Sequence, residues 1–369
     1  MLSQRHSFRL QNICLIAALG GMVITADCTP SPPTIATATP TFAAPLPPTI
    51  TATSPDITPL SPTPSPAPPP PQVLLVTAGG AQAEVLEQTL QNAARTYGWE
   101  ARLILADSPT SVQTVAAGNA AIVVVDGPEL VNNALLIAPS RPQVYFIGLA
   151  TEQTVSTTPP NVLLFGMGRE DQVGFLAGAI AGLATRSRQV AVVGPADSVA
   201  AAKYRYGFLH GVRYTCPKCR VDLVDGGAEE ASRHVMYGAD IIYSPPGAES
   251  AAILQAAAIR GAAVIGSATD GCTTLCAGET ASVAEQLLAN VSLDLTAALE
   301  QALEQYHLGQ PPSGLQPLAA ANGALHLMPG SNWSSALDEL DQAEVTTVWT
   351  RLRDGSLETG IDPLTGVEK

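Results

Sequence analysis

The chain has 369 residues, 14% of them charged, with 32 acidic side chains against 18 basic ones and a net charge of −14. That balance argues against nucleic acid and against adhesion to an anionic bilayer, because no basic excess exists to meet phosphates. Hydrophobic residues make up 46% but aromatics only 5%, so the core must come from Ala, Val, Leu and Ile, and at about 150 residues per domain the length predicts roughly two domains.

Residues 1–28 read as an export signal. Arg5 and Arg9 precede the apolar run Ile13–Ala26, which is too short for a free transmembrane helix, and Cys28 follows at once. The pattern is similar to a bacterial lipoprotein signal, with Asp27 where a small residue usually stands. Cys28 is the expected lipidation site. An uncleaved anchor or an ordinary secretory signal are the alternatives, and all of them export the chain. Residues 29–71 hold over half of the 31 prolines and one charge, Asp56. Such a stretch cannot bury enough apolar surface to fold, and it predicts a disordered tether reaching on the order of 130 Å at about 3.1 Å per residue.

From residue 72 the chain alternates short β-branched runs with Ala-rich helical stretches. Strands are expected at Val73–Thr77, Arg102–Leu105, Ala121–Val125, Val144–Leu149 and Val162–Phe165. The helices between them are Ala81–Tyr97, closed by Gly98, then Ser111–Ala117 and Leu130–Ala138. The pattern restarts with a helix at Glu170–Thr185 and a strand at Gln189–Val193. A helix at Ala200–Tyr214 and a strand at Val221–Val224 follow. A strand within Tyr237–Ser244, a helix at Ser250–Arg260 and a strand at Ala263–Gly266 complete this half. Ala281–Tyr306 reads as one long helix, and another is expected near Leu337–Leu352. Continuous apolar strands separated by helices predict an α/β fold of two parallel sheets covered on both faces. Gly174, Gly178 and Gly182 share one helix face, which predicts close approach of that helix to its sheet.

Two tight cysteine pairs, Cys216/Cys219 and Cys272/Cys276, suit local disulfides in an oxidising compartment. Zinc binding by all four, or a redox-active C-x-x-C, are the alternatives. The run Gly166-Met-Gly168-Arg-Glu-Asp171 has the look of a dinucleotide fingerprint, but Asp171 occupies the third glycine position. Nucleophile-elbow and zinc-protease motifs are missing, and the five histidines are scattered, so no catalytic residue, metal or cofactor is expected. What remains are polar residues just after strands, where open α/β sheets bind ligands: Thr77, Asp126, Arg169, Asp197, Ser198, Ser244 and Asp270, with capping favoured for Asp197 and Ser198. Helix capping is the competing reading for the Asp and Ser positions.

Asp171-Gln-Val-Gly-Phe-Leu-Ala-Gly-Ala-Ile-Ala-Gly-Leu183, Gln189–Gly194, Tyr206-Gly-Phe-Leu-His-Gly-Val212, Gly238–Ile242 with Gly247, and Ala263–Gly266 together resemble the basic membrane protein family. These are substrate-binding lipoproteins of ABC importers, similar to purine nucleoside receptors. The resemblance runs from about Val73 to Pro329. It implies a type I periplasmic-binding-protein fold, with two Rossmann-like lobes joined by three strands. The implied ligand contacts that carry over are Asp270 and Gly247. The first βα loop, Thr77–Gln82, lacks the family's aromatic and carboxylate. Pro128 stands where the family has a stacking Phe, Ala268 replaces one of the paired acids, and Ala284 replaces a Lys.

The expectation is therefore a monomeric, lipid-anchored, extracytoplasmic solute-binding protein. It would hand a small polar solute, a purine nucleoside by family default, to an ABC permease. Lobe 1 is expected at 72–165, completed by about 272–306. Lobe 2 is expected at 166–271, completed by about 307–369. A surface sensory receptor of the same fold is the alternative, and an exported nucleotide-dependent enzyme is a weaker one.

Overall fold

The computed structural model describes residues 69–149, 157–268 and 281–369. Cys28, the tether up to residue 68, Asp270, Cys272 and Cys276 lie outside the described residues. Two six-stranded sheets organise the rest.

The first sheet begins with β1 (Gln72–Thr77), α1 (Ala81–Tyr97), β2 (Glu100–Leu105), α2 (Ser111–Ala116), β3 (Ala120–Asp126), α3 (Pro128–Ile137), β4 (Tyr145–Leu149) and β5 (Val162–Gly168). The chain then enters the second sheet through α4 (Glu170–Ala184). There it lays down β6 (Gln189–Val193), α5 (Val199–Thr215), β7 (Arg220–Val224), α6 (Ala228–Met236), β8 (Ile241–Tyr243), α7 (Ser250–Ile259) and β9 (Ala263–Gly266). After α8 (Ala281–Gln286) come β10 (Leu287–Leu293), α9 (Leu295–His307), β11 (Gly314–Leu318), β12 (Leu325–Pro329), α10 (Trp333–Ala336) and α11 (Glu339–Arg353). Strand order is β11-β5-β4-β3-β1-β2 in one sheet and β12-β10-β9-β8-β6-β7 in the other. Every pairing is parallel except β10 with β12.

The parallel strands are buried on both faces, as their unbroken apolar runs require. In the first sheet, α1 and α9 seal one face over Leu75, Ile122 and Ile147, and α2 and α3 seal the other over Val76, Val123 and Phe146. In the second sheet, α4 and α11 cover Val190, Val192 and Ile265, while α6 and α7 cover Ala191, Ile242 and Val264.

Three expectations are corrected. The stretch expected to be one helix, Ala281–Tyr306, is a short helix, a strand and a second helix. Leu287–Leu293 is buried along its length between β9 and β12, so its apolar run satisfies a two-sided strand as well as a helix face. Asn290 fixes it there, donating to the Ala268 carbonyl at 2.8 Å and accepting from the Ala268 N–H at 3.0 Å.

The second correction follows from the first. The chain returns to the first lobe at Asp294 rather than near residue 272, and β11 keeps residues 314–318 in that lobe. Only from β12 onward does the tail belong to the second lobe.

The third concerns the glycine face of α4, which packs on α5 rather than on the sheet. A Cβ at Gly174 or Gly178 would lie 2.2 or 2.1 Å from the carbonyl oxygens of Tyr204 and Phe208. Gly207 and Gly211 of α5 are equally closed off by Asp171 and Phe175. Two helices thus meet backbone to backbone, which only glycine permits.

Three segments join the lobes: Arg169, Asp294 and the stretch after Leu318. They are laced together, with the Arg169 N–H on the Leu318 carbonyl at 2.8 Å and the Asp294 N–H on the Ala324 carbonyl at 2.7 Å. Among the described residues, no helix is long and apolar enough to cross a membrane.

Candidate functional site

Topology decides where the two lobes face each other. β5 leaves the first sheet at its C-terminal end and feeds directly into the second lobe. β10 leaves the second sheet at its C-terminal end and feeds into the first. Since β1, β3 and β4 run parallel to β5, and β8 and β9 parallel to β10, the C-terminal strand ends of the two lobes point at one another. That is where open α/β sheets hold ligands.

A cavity opens on each side. In lobe 1, a space of about 380 Å³ lies over the ends of β1, β2 and β3, lined by Asp107, Ser108, Asp126, Pro128 and Glu129 among others. In lobe 2, a space of about 480 Å³ lies over the ends of β6, β7 and β8, lined by Pro195, Asp225, Ser244, Gly247 and Glu249 among others.

The local chemistry follows from the strand ends. Thr77 and Asp126 are register partners at the tips of β1 and β3. The buried Thr77 hydroxyl donates to Asp126 Oδ2 at 3.0 Å and accepts the Gly79 N–H at 3.1 Å. Asp126 is therefore held by the sheet rather than by capping α3, whose N-cap is Gly127 with no side-chain bond. The Ser111 hydroxyl, with Ser108, holds the Asp107 carboxyl below the usual carboxylate range. In lobe 2 the hydroxyl of the fully buried Ser244 donates, among the described residues, to the Pro245 carbonyl at 3.4 Å. At Gly247 an added Cβ would meet open space, so the backbone there is accessible from the cavity. The neighbouring βα loop shows the competing capping chemistry, with Ser198 accepting the Ala201 N–H at 3.1 Å.

Arg169 is engaged elsewhere. Its guanidinium grips Asp171 with two bonds of 2.8 Å, and this contact raises its pKa. The fully buried Asp171 also accepts the Thr359 hydroxyl. The residue that breaks the glycine fingerprint is thus a structural anion at the lobe crossing.

Sequence reading missed the buried cations beside it. Lys203 bonds the Gly168 carbonyl at 2.9 Å and Glu170 at 2.6 Å. Arg205 gives Nη1 to the carbonyls of Gly194 and Val224 at 2.8 Å each, and burial lowers its pKa. Their place inside an otherwise amphipathic helix, facing glycine-bearing α4 and the strand ends, was the available signal.

A bridge joins Cys216 and Cys219. Among the described residues no His, Cys, Asp and Glu group is arranged to hold a metal ion. A larger cavity of about 1020 Å³ lies on the outer flank between α1, α9 and the end of α11.

The Bmp family model, described as ABC transporter substrate-binding protein PnrA-like, matches residues 85–304. No curated protein matches the chain. An ABC transporter solute-binding protein from Conexibacter woesei DSM 14684 aligns with TM-score 0.58 and 21% identity, over 78% of this chain and 98% of that one. A second such protein, from Aeropyrum pernix K1, aligns with TM-score 0.52 and 16% identity, over 78% and 93%. A transcriptional activator of the comK gene from Bacillus halodurans aligns with TM-score 0.55 and 16% identity, over 77% and 98%. At these identities the likeness is one of fold, the two-lobed type I periplasmic-binding architecture.

Proposed function

Because the chain belongs to the Bmp family of PnrA-like ABC transporter substrate-binding proteins, we propose that it captures a small polar solute between its two lobes and presents the closed form to a membrane permease. Its family makes it a solute-binding protein of an ABC transporter that works outside the cytoplasm, and not an enzyme. The observation that carries the reading is the pair of cavities on facing strand ends. A ligand touching both walls favours the closed arrangement by its differential affinity for it.

Thr77, Asp126, Ser244 and Gly247 are the proposed contacts among the described residues, and Asp270 is a further one from the family pattern. Arg169 acts through Asp171 as a positioning residue at the crossing. Cys28 is proposed as the lipid attachment point. The Pro-rich stretch would then let a monomeric receptor stand away from the membrane and reach its transporter. Purine nucleoside is the family's default solute, but among the described residues no aromatic side chain lines either cavity. Stacking worth roughly 1–3 kcal/mol per base would be missing there.

A thermal-shift screen of the full chain against nucleosides, sugars, amino acids and amines tests this reading. A bound solute at about 100 times its dissociation constant adds about 2.7 kcal/mol of stability. A clear melting shift with one class is expected. No shift with any class would contradict solute capture. For the anchor, labelled fatty acid should be incorporated in the producing cell by the wild-type chain and lost in Cys28→Ser.

A further inference from the structure

Away from the cleft, residues 354–369 turn back across α5 and reach the crossing between the lobes. Ile361 forms an antiparallel bridge with Glu368, the Asp362 N–H bonds the Val367 carbonyl at 2.8 Å, and the Lys369 N–H bonds the Gly360 carbonyl at 2.9 Å. This small hairpin lies on α5. A Cβ at Gly366 would sit 3.0 Å from the Val199 carbonyl oxygen and 3.3 Å from Lys203 Cγ. Thr359 and Ile361 are buried, and the Thr359 hydroxyl donates to Asp171 Oδ2 at 2.5 Å. Asp171 is the anion that Arg169 grips, and Arg169 is the first of the three segments that join the lobes.

One ring holds both arms of the hairpin. His210, half-buried on α5, has Nδ1 2.8 Å from the Thr359 carbonyl oxygen and Nε2 2.7 Å from Glu368 Oε1. A carbonyl and a carboxylate only accept, and a neutral imidazole carries a single N–H. The neutral ring can therefore make one of these bonds and must turn a lone pair on the other acceptor. The imidazolium makes both. From this geometry we infer that His210 is a proton-dependent positioning residue, whose imidazolium clasps the hairpin to α5 and so keeps Thr359 on Asp171 at the lobe crossing. When the proton leaves, the hairpin is held at one arm only, whichever N–H remains.

The other charged groups of the packed elements are engaged elsewhere. Among the described residues Glu368 is the sole ion-pair partner of the ring. Glu358 and Lys369 of the hairpin pair with each other at 3.6 Å. Asp362 accepts the N–H groups of Leu364 and Thr365. From α4, Asp171 meets Arg169 and Thr359. On α5, Lys203 is committed to the Gly168 carbonyl and Glu170. Tyr206 lies about one turn before His210 and Arg213 and Tyr214 about one turn after it, and the Tyr214 hydroxyl accepts from Arg351 of α11 at 2.8 Å. Carboxylates, lysine, arginine and tyrosine ordinarily keep their charge state across the range in which imidazole titrates, so the response falls to the His210–Glu368 pair.

Hydrogen exchange of the full chain at about pH 5.5 and about pH 8.5, on either side of the reference imidazole value, tests this, with the intrinsic rate at each pH divided out. Protection of residues 359–369 should be about ten-fold lower at the higher pH, the worth of one charge-assisted bond, and protection of residues 169–173 should fall with it. In Glu368→Gln the side-chain amide can donate to the bare ring nitrogen or accept from the protonated one, so protection should stay high at both pH values. In His210→Ala it should be low at both. Equal protection of the wild-type hairpin at the two pH values would overturn the inference. A Glu368→Gln chain that keeps the wild-type fall would also overturn it, because the cause would then lie outside the pair. A fall confined to residues 359–369, with 169–173 unmoved, would break the link to the crossing and overturn the positioning role.

Discussion

At the scale of single residues, the α4–α5 contact is the most exacting feature. The four-residue spacing of Gly174, Gly178 and Gly182 was legible as one helix face. Its partner was not, because the spacing of Gly207 and Gly211 means little until the two helices are set side by side. Gly178→Ala would put a methyl 2.1 Å from the Phe208 carbonyl oxygen, and overpacking of this kind costs about 1–3 kcal/mol or more. Chemical denaturation should show that loss. Gly247→Ala, facing open space, should leave stability unchanged, and equal effects at the two sites would contradict the packing account. Asp171→Asn removes the negative charge and one of the two acceptor oxygens that Arg169 grips. Breaking a buried pair costs about 3–5 kcal/mol, so its denaturation midpoint should fall further than that of a surface carboxylate such as Glu339→Gln.

Among elements, continuous apolar runs such as Ala120–Asp126 and Gln189–Val193 were readable as two-sided strands. Gly98, left-handed at φ 73°, ended α1 where expected. β10 was not readable, since Leu287, Leu288, Val291 and Leu293 fit helical and strand spacing alike. What separates β10 from α9 is one residue. Asp294 caps α9, accepting the Thr296 N–H at 2.8 Å. Asp294→Ala should cost about 1 kcal/mol, seen as a lower melting temperature. A neutral result would mean that packing of α9 on Leu75 and Ile122 alone sets the break. The candidate site was half legible for a similar reason. Thr77, Asp126, Ser244 and Gly247 could be placed because strand ends are predictable. Asp107, Glu129, Asp225 and Glu249 gather only once the loops of neighbouring strands stand together.

For the molecule as a whole, acid sensitivity follows from four surface carboxylates, one of them Glu230, held low by the Gly227 N–H. Ser111 holds Asp107 low, Ser356 holds Asp354 low, and the Thr365 and Leu364 N–H groups hold Asp362 low. A carboxyl whose folded pKa lies below its unfolded value contributes stability that is present above the unfolded pKa and lost as pH falls through the folded one. Melting temperature should therefore hold through neutrality and fall below about pH 4. A rise in that range would contradict the assignment.

The central claim is that both lobes grip one solute across the cleft. Hydrogen exchange of the full chain, with and without the solute that raises the melting temperature most, tests it directly. Exchange should slow together at residues 78–80 and 126–129 of the first lobe and at 225–227 and 247–250 of the second. Protection confined to one lobe, or centred on the flank between α1 and α9, would contradict it.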